Sequence, residues 1–201
     1  MNKPEKRNLL AGIFITALVA IAYQEMVNAV RESVREHGIT FGTTALVIIF
    51  FVTTIRFLVG NQLHLISERV QSMPGLLWFY DLLIILGQTV AMMFLGGLAS
   101  LELSLRLQIA FLDILVVVFV LDIFWILSQW ALGRLFSKCK RDSVPWGWLY
   151  LNIGMVAVLI IPYAIWGKGP MYSNLGLALI LAANVLAFMV DVFLLDYFDV
   201  M

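Results

Sequence analysis

One arginine lies inside a long apolar stretch of the sequence. Arg56 follows the run ALVIIFFVTTI and is itself followed, within about two helical turns, by Asn61 and His64. A charged side chain inside a membrane segment costs about 2.5–3.5 kcal/mol on insertion scales, so such residues face the bundle interior or water and usually have a partner. Arg56 therefore predicts a buried polar site with an acidic partner.

Asp81 is the first candidate for that partner. The second and third apolar segments are predicted to form a helical hairpin around a turn centred near residue 69. Arg56 and Asp81 lie at similar distances on either side of this centre, and paired antiparallel helices place such residues at the same depth. The sequence thus predicts an Arg56–Asp81 ion pair.

Three further polar residues are predicted at the same depth. Each lies several residues inside the same end of the fourth, fifth or sixth apolar segment, which is roughly 8–12 Å at 1.5 Å per residue. The predicted polar layer draws one residue from each of five helices: Arg56, Asp81, Asp122, Asn152 and Asp191.

Helical spacing adds neighbours to this layer. Thr53, Arg56, Gly60 and His64 follow a spacing of three to four residues and form one stripe on the second helix. His64 is placed near the membrane interface, where it could accept a proton near neutral pH or form a hydrogen bond at the level of the lipid headgroups.

Amide side chains share faces with the acidic residues. An amide lies seven residues from an aspartate, on the same helical face, in three pairs: Asp81 with Gln88, Asp122 with Gln129, and Asp191 with Asn184.

Asp113 is predicted to lie apart from the layer. It is nine residues from Asp122, half a turn out of phase. This position predicts that Asp113 faces another cleft or belongs to a second polar site nearer the outer face.

Acidic groups outnumber the one cation of the layer. Arg56 can neutralise one or two of the three aspartates, and a carboxylate left over in a medium of low dielectric constant must be protonated, bind a cation or contact water. The first two outcomes favour movement of protons or cations, whereas a water-filled cleft would also suit an enzyme.

The overall composition indicates the class of protein to which these polar groups belong. The 201 residues are 62% hydrophobic and 13% charged, with a mean hydropathy of +0.97 and a net charge of zero. These values are typical of a polytopic membrane protein and give no indication of a nucleic-acid partner. The single cysteine, Cys139, excludes an internal disulfide framework.

Six apolar segments are each near or above the length of about 20 residues that a helix needs to cross a bilayer. They predict an all-α bundle of about six transmembrane helices in a single domain over residues 1–201. The predicted spans are approximately 9–30, 43–64, 76–99, 107–131, 147–167 and 174–197.

The distribution of Lys and Arg predicts the orientation of the chain. Eight of them fall on the side that holds both termini and four on the other side. Because cytoplasmic loops carry the excess of positive charge, both termini are predicted to be cytoplasmic, in the cell (plasma or inner) membrane. Residues 1–22 also resemble a cleavable signal peptide, but the apolar character that resumes at Met26 favours a retained helix.

No cofactor or metal site is predicted. His37 and His64 fall on opposite sides of the membrane in this topology, and no zinc-protease motif, glycine-rich phosphate loop or catalytic-triad order is visible.

Three functions remain open at this level. The first is movement of a cation, a proton or a small solute, as a channel or transporter, through a cytoplasm-facing polar site. The second is a non-catalytic anchor or regulatory subunit that binds a cytoplasmic protein through the basic loop 134–142, from Arg134 to Arg141. The third is a lipid-acting enzyme, for which no nucleophile is apparent. The lipid bilayer is the expected environment, and a homo-oligomer is an expected assembly for so short a chain.

Overall fold

The structure is a computed structural model, and it describes residues 3–67, 70, 74–100, 111–135 and 146–193. Within these residues it is all-helical. The six long helices are α1 (Lys3–His37), α2 (Phe41–Ile66), α3 (Gly75–Gly97), α4 (Phe111–Leu135), α5 (Trp146–Trp166) and α6 (Asn174–Phe193). A four-residue helical turn, Lys168–Met171, precedes α6.

All six are long and apolar enough to cross a membrane, which confirms the predicted polytopic helical bundle. Large apolar side chains are exposed on their outer faces, including Phe94, Ile161 and Leu179. Such a surface is unfavourable in water and suits contact with lipid tails. The chain is therefore an integral membrane protein.

Residues with special backbone properties set the helix ends. Gly38 adopts φ +74° directly after α1, a left-handed conformation that glycine adopts without strain. Thr40 caps α2, because its hydroxyl oxygen accepts a hydrogen bond from the Thr43 amide at 3.1 Å. Pro74 precedes the first residue of α3. The predicted limits 107 and 197 lie outside the described residues, and α1 is longer at both ends than predicted.

The helices pack in a closed ring in the order α1, α3, α4, α5, α6, α2, and α2 also contacts α3. The contact between α1 and α3 is the most extensive. It depends on Gly96, where a Cβ atom would lie 2.3 Å from the carbonyl oxygen of Ala22. The absence of a side chain at this position lets the two backbones approach closely.

Both ends of the described chain lie at one end of the bundle. Asn8 of α1 donates to the Leu65 carbonyl at 2.8 Å and accepts from the Trp78 indole at 2.9 Å, so α1 begins beside the end of α2 and the beginning of α3. Six antiparallel passages then bring Phe193 to the same side. We call this side the terminal end.

Candidate functional site

Arg56 and Asp191 form a buried ion pair between α2 and α6. Arg56 is 3% exposed and Asp191 4%, and the guanidinium Nε donates to Oδ2 of Asp191 at 2.5 Å. Thr53, three residues earlier on α2, donates to Asn184 on α6 at 3.0 Å. These contacts fix the register of two parallel helices.

This pair is only partly satisfied. Neither Nη1 nor Nη2 of Arg56 has a hydrogen-bond partner within the described part of the chain, and the same holds for Oδ1 of Asp191. The guanidinium carbon lies 5.7 Å from the centre of the Phe119 ring on α4. Buried donors and an acceptor thus remain available beside the pair.

Asp122 on α4 is fully buried and is held by neutral groups. Its Oδ1 accepts from Gln88 Nε2 on α3 at 3.0 Å, and its Oδ2 accepts from Asn152 Nδ2 on α5. No cationic side chain of the described residues forms an ion pair with it. Asp122 nevertheless lies within Coulombic range of both Arg56 and Asp191. Three ionisable groups from α2, α4 and α6 therefore share one buried region.

Asp81 on α3 has a different set of partners. His64 Nε2 lies 2.9 Å from Oδ2, while Oδ1 accepts from Trp125 Nε1 at 3.2 Å and from Gln129 Nε2. The His64 ring also meets the Trp125 ring edge to face, with centroids 4.6 Å apart. Asp81 thus accepts hydrogen bonds from α4 and contacts the His64 ring on α2.

The predicted Arg56–Asp81 ion pair is wrong. The contacts between α2 and α3 join His64 to Asp81, Asn61 to Gln88 and Thr54 to Met92. The midpoint of each pair along the sequence falls between positions 72 and 75, whereas the predicted centre of the hairpin is near residue 69. The later centre places Asp81 opposite His64, two turns beyond Arg56, and the Arg56 side chain instead contacts α6.

Of the other predicted site residues, Asp122, Asn152 and Asp191 are buried with Arg56 on the inner faces of their helices. His64 joins Asp81, because its Nε2 lies 2.9 Å from Oδ2 of that residue. Asp113 lies in the first turn of α4, about 14 Å along the helix from Asp122 at 1.5 Å per residue. It is therefore separate from the layer along the axis of α4.

Asp113 lies close to the buried Tyr172, which precedes α6. The Tyr172 hydroxyl oxygen accepts a hydrogen bond from the Leu112 amide at 3.2 Å. Burial raises the pKa of Tyr172 above its ordinary value, and the charge of Asp113 adds to this rise, while the hydrogen bond from Leu112 acts in the opposite direction. The Tyr172 hydroxyl is therefore neutral at physiological pH.

The predicted site did not include several amide side chains that form hydrogen bonds within it. Gln88 and Gln129 each lie seven residues from an aspartate on their own helix, but each bonds the aspartate of the neighbouring helix. The seven-residue spacing identifies these amides, and the antiparallel pairing of α3 and α4 explains the exchange of partners. Asn61 extends the network, because its Nδ2 donates to Gln88 Oε1 at 3.3 Å.

Among the described residues, no three His, Cys, Asp or Glu side chains converge where they could hold a metal ion. The basic segment 136–142, including Cys139, lies outside the described residues.

The sequence matches no protein-family model, and neither a curated protein nor a solved structure is similar to it.

Proposed function

We propose that the protein moves a proton or another small cation or solute across the membrane through the polar layer of α2–α6. One observation carries this proposal: Asp122 is fully buried, and its hydrogen-bond donors among the described residues are two neutral amides. An ionised carboxylate in such surroundings is costly unless a positive charge accompanies it. A proton or a small cation would supply that charge.

The balance of charge supports the same conclusion. Asp81, Asp122 and Asp191 are all at most 4% exposed, and Arg56 is the one arginine or lysine that is buried with them among the described residues. Arg56 is already paired with Asp191. The layer therefore has the capacity to take up positive charge, and ionisable residues within membrane spans are commonly part of ion pathways or proton relays.

His64 and Asp81 give the layer a connection towards the terminal end. The His64 side chain is 14% exposed, whereas the Asp81 side chain is 1% exposed. Gln88 links this part of α3 to Asp122. We assign His64 and Asp81 to the entry side of the pathway and Asp113 to a second station nearer the other face.

The orientation follows from the positive charges. In the topology predicted from the sequence, the side that holds both termini carries the larger share of Lys and Arg, so we propose that both termini are cytoplasmic and that the chain lies in the cell membrane. The entry side at His64 then faces the cytoplasm.

A flux assay tests the proposal. The purified chain is reconstituted in liposomes that contain a pH-sensitive or cation-sensitive dye, and an imposed gradient drives movement. We expect flux above that of empty vesicles, a loss of most of this flux in Asp122→Asn, and a complete loss in Asp122→Asn/Asp191→Asn. The matched control is Glu32→Gln, an exposed acid on α1 outside the layer.

Two results would overturn the proposal. Wild-type flux equal to that of empty vesicles would exclude movement of the ions tested. Wild-type flux that persists unchanged in the double variant would exclude the polar layer as the pathway.

A further inference from the structure

We infer that a small cavity between α1, α2 and α3 binds one dehydrated monovalent metal cation. The cavity has a volume of about 10 Å³. That is close to the smallest volume that holds one water molecule. Its polar wall consists of Thr54 and Asn61 from α2 with Gln88 and Thr89 from α3, and the remaining wall is apolar.

The hydroxyl groups on this wall have already donated their hydrogens. Thr89 Oγ1 donates to the Ile85 carbonyl at 2.7 Å, and Thr54 Oγ1 donates to the Met92 sulfur at 3.7 Å. The lone pairs of both hydroxyl oxygens remain available. They are suited to coordinate a cation.

Asn61 provides an independent indication of a ligand. It is 3% exposed, its Nδ2 donates to Gln88 Oε1, and its Oδ1 has no hydrogen-bond partner within the described part of the chain. A buried carbonyl oxygen without a partner costs about 1–3 kcal/mol. A cation coordinated by this oxygen would remove that cost.

The chemistry of the wall selects the class of cation. All the side-chain oxygens are neutral, whereas Ca²⁺ and Mg²⁺ sites in proteins normally include carboxylates. A monovalent ion is therefore favoured, and the small volume requires that the ion has lost its hydration shell. Gln88 also connects the cavity to an acidic side chain, because its Nε2 donates to Asp122 at 3.0 Å.

This inference does not depend on transport, because binding is measured at equilibrium. Thermal unfolding of the full chain in detergent is followed in NaCl, KCl and N-methylglucamine chloride at constant ionic strength. A ligand that binds the folded state raises the melting temperature in a saturable way. We expect such a rise with Na⁺ and with K⁺, and none with N-methylglucamine, which is too large for the cavity.

Two isosteric variants supply the comparison. In Thr54→Val/Thr89→Val the cavity loses two oxygens, and the apparent Na⁺ affinity should fall by about tenfold or more, which corresponds to about 1.4 kcal/mol. Thr16→Val is the matched control, since Thr16 also donates to a carbonyl one turn earlier, at 2.9 Å, but is not part of the cavity wall. Its Na⁺ response should equal that of the wild type.

The inference is wrong if Na⁺ stabilises the wild type no more than N-methylglucamine does, in which case the cavity holds only water. It is equally wrong if Thr54→Val/Thr89→Val retains the full Na⁺ response. Na⁺ binding without any flux would leave this site intact and remove the proposed function. Flux without Na⁺-specific stabilisation would leave the proposed function intact and remove this cation site.

Discussion

Arg56 on α2 donates through Nε to Asp191 on α6 at 2.5 Å, and this ion pair joins two helices that are 135 residues apart along the chain. Both side chains are withdrawn from solvent, so each compensates the charge of the other. Among the described residues, Arg56 is the buried arginine of the layer, and Asp191 is the aspartate with which it forms an ion pair.

Substitution of one member of this pair should be strongly destabilising. We expect Arg56→Gln to lower the free energy of unfolding by about 3–5 kcal/mol, because Asp191 is left as an uncompensated buried charge. In a double-mutant cycle with Asp191→Asn, the interaction energy should exceed about 1 kcal/mol. Unfolding in detergent, followed by circular dichroism, measures these values.

The same cycle with Asp81→Asn is the control. Arg56 and Asp81 have no direct contact, so their effects should add to within about 0.5 kcal/mol. Strong coupling between Arg56 and Asp81, together with additivity between Arg56 and Asp191, would contradict the register of α2 described above.

The close approach of α1 and α3 gives a second prediction. A methyl group at position 96 would overlap the Ala22 carbonyl oxygen, so Gly96→Ala should destabilise the bundle by about 1–3 kcal/mol, as overpacking does. Gly97→Ala meets no atom within 4 Å. It should be neutral or stabilising by up to about 1 kcal/mol. Equal melting temperatures for the two variants would argue against this packing.

Tyr172 gives a third prediction. Tyr172→Phe removes the acceptor of the Leu112 amide and should cost about 1–3 kcal/mol near neutral pH. Tyr150→Phe is the control, because Tyr150 is 67% exposed. Its effect should remain within about 0.5 kcal/mol. A null result for Tyr172→Phe would mean that the hydroxyl does not stabilise the start of α4.

The raised pKa of Tyr172 makes its contribution depend on pH. The unfolded chain ionises this group near its ordinary value of 10.0, whereas the folded chain keeps the hydroxyl protonated to higher pH. The stabilisation is therefore complete below about pH 10 and is lost as the pH rises further. The difference in melting temperature between the wild type and Tyr172→Phe should narrow above pH 10. A difference in melting temperature that widens above pH 10 would mean that folding lowers the pKa of Tyr172 and does not raise it.

The orientation of the chain gives a fifth prediction. Ile39 is 82% exposed, in the link between α1 and α2. In a Cys139→Ser background, a membrane-impermeant maleimide should label Ile39→Cys in intact cells, since this link is predicted to lie outside. In the wild-type chain, which retains Cys139, the reagent should label this cysteine only after the cells are opened. The opposite pattern would place the termini outside and reverse the entry side of the proposed pathway.

The six spans could be predicted from sequence because each depends on local composition. Long apolar runs leave few alternatives to a membrane helix, and Gly38 and Pro74 mark helix ends by their backbone properties. Burial of Arg56, Asp122 and Asp191 could be predicted for the same reason, because a charged group cannot face lipid without a high cost.

Pairing within the layer could not be predicted in the same way. Whether Arg56 contacts Asp81 or Asp191 depends on the register of α2 against α3, and a shift of a few residues in the centre of the hairpin changes the partner. The position of α6 beside α2 depends on how all six helices pack into the ring. No local pattern in the sequence of either helix specifies it.

The exchange of amides between α3 and α4 has a mechanical consequence. Asp81 with Gln129 and Gln88 with Asp122 are two cross-links of one helix pair, separated by about 10 Å along its axis. A slide of α3 past α4 by one turn would break both links together and leave two carboxylates without these donors. Any conformational cycle of this bundle should therefore move α3 and α4 as a single body.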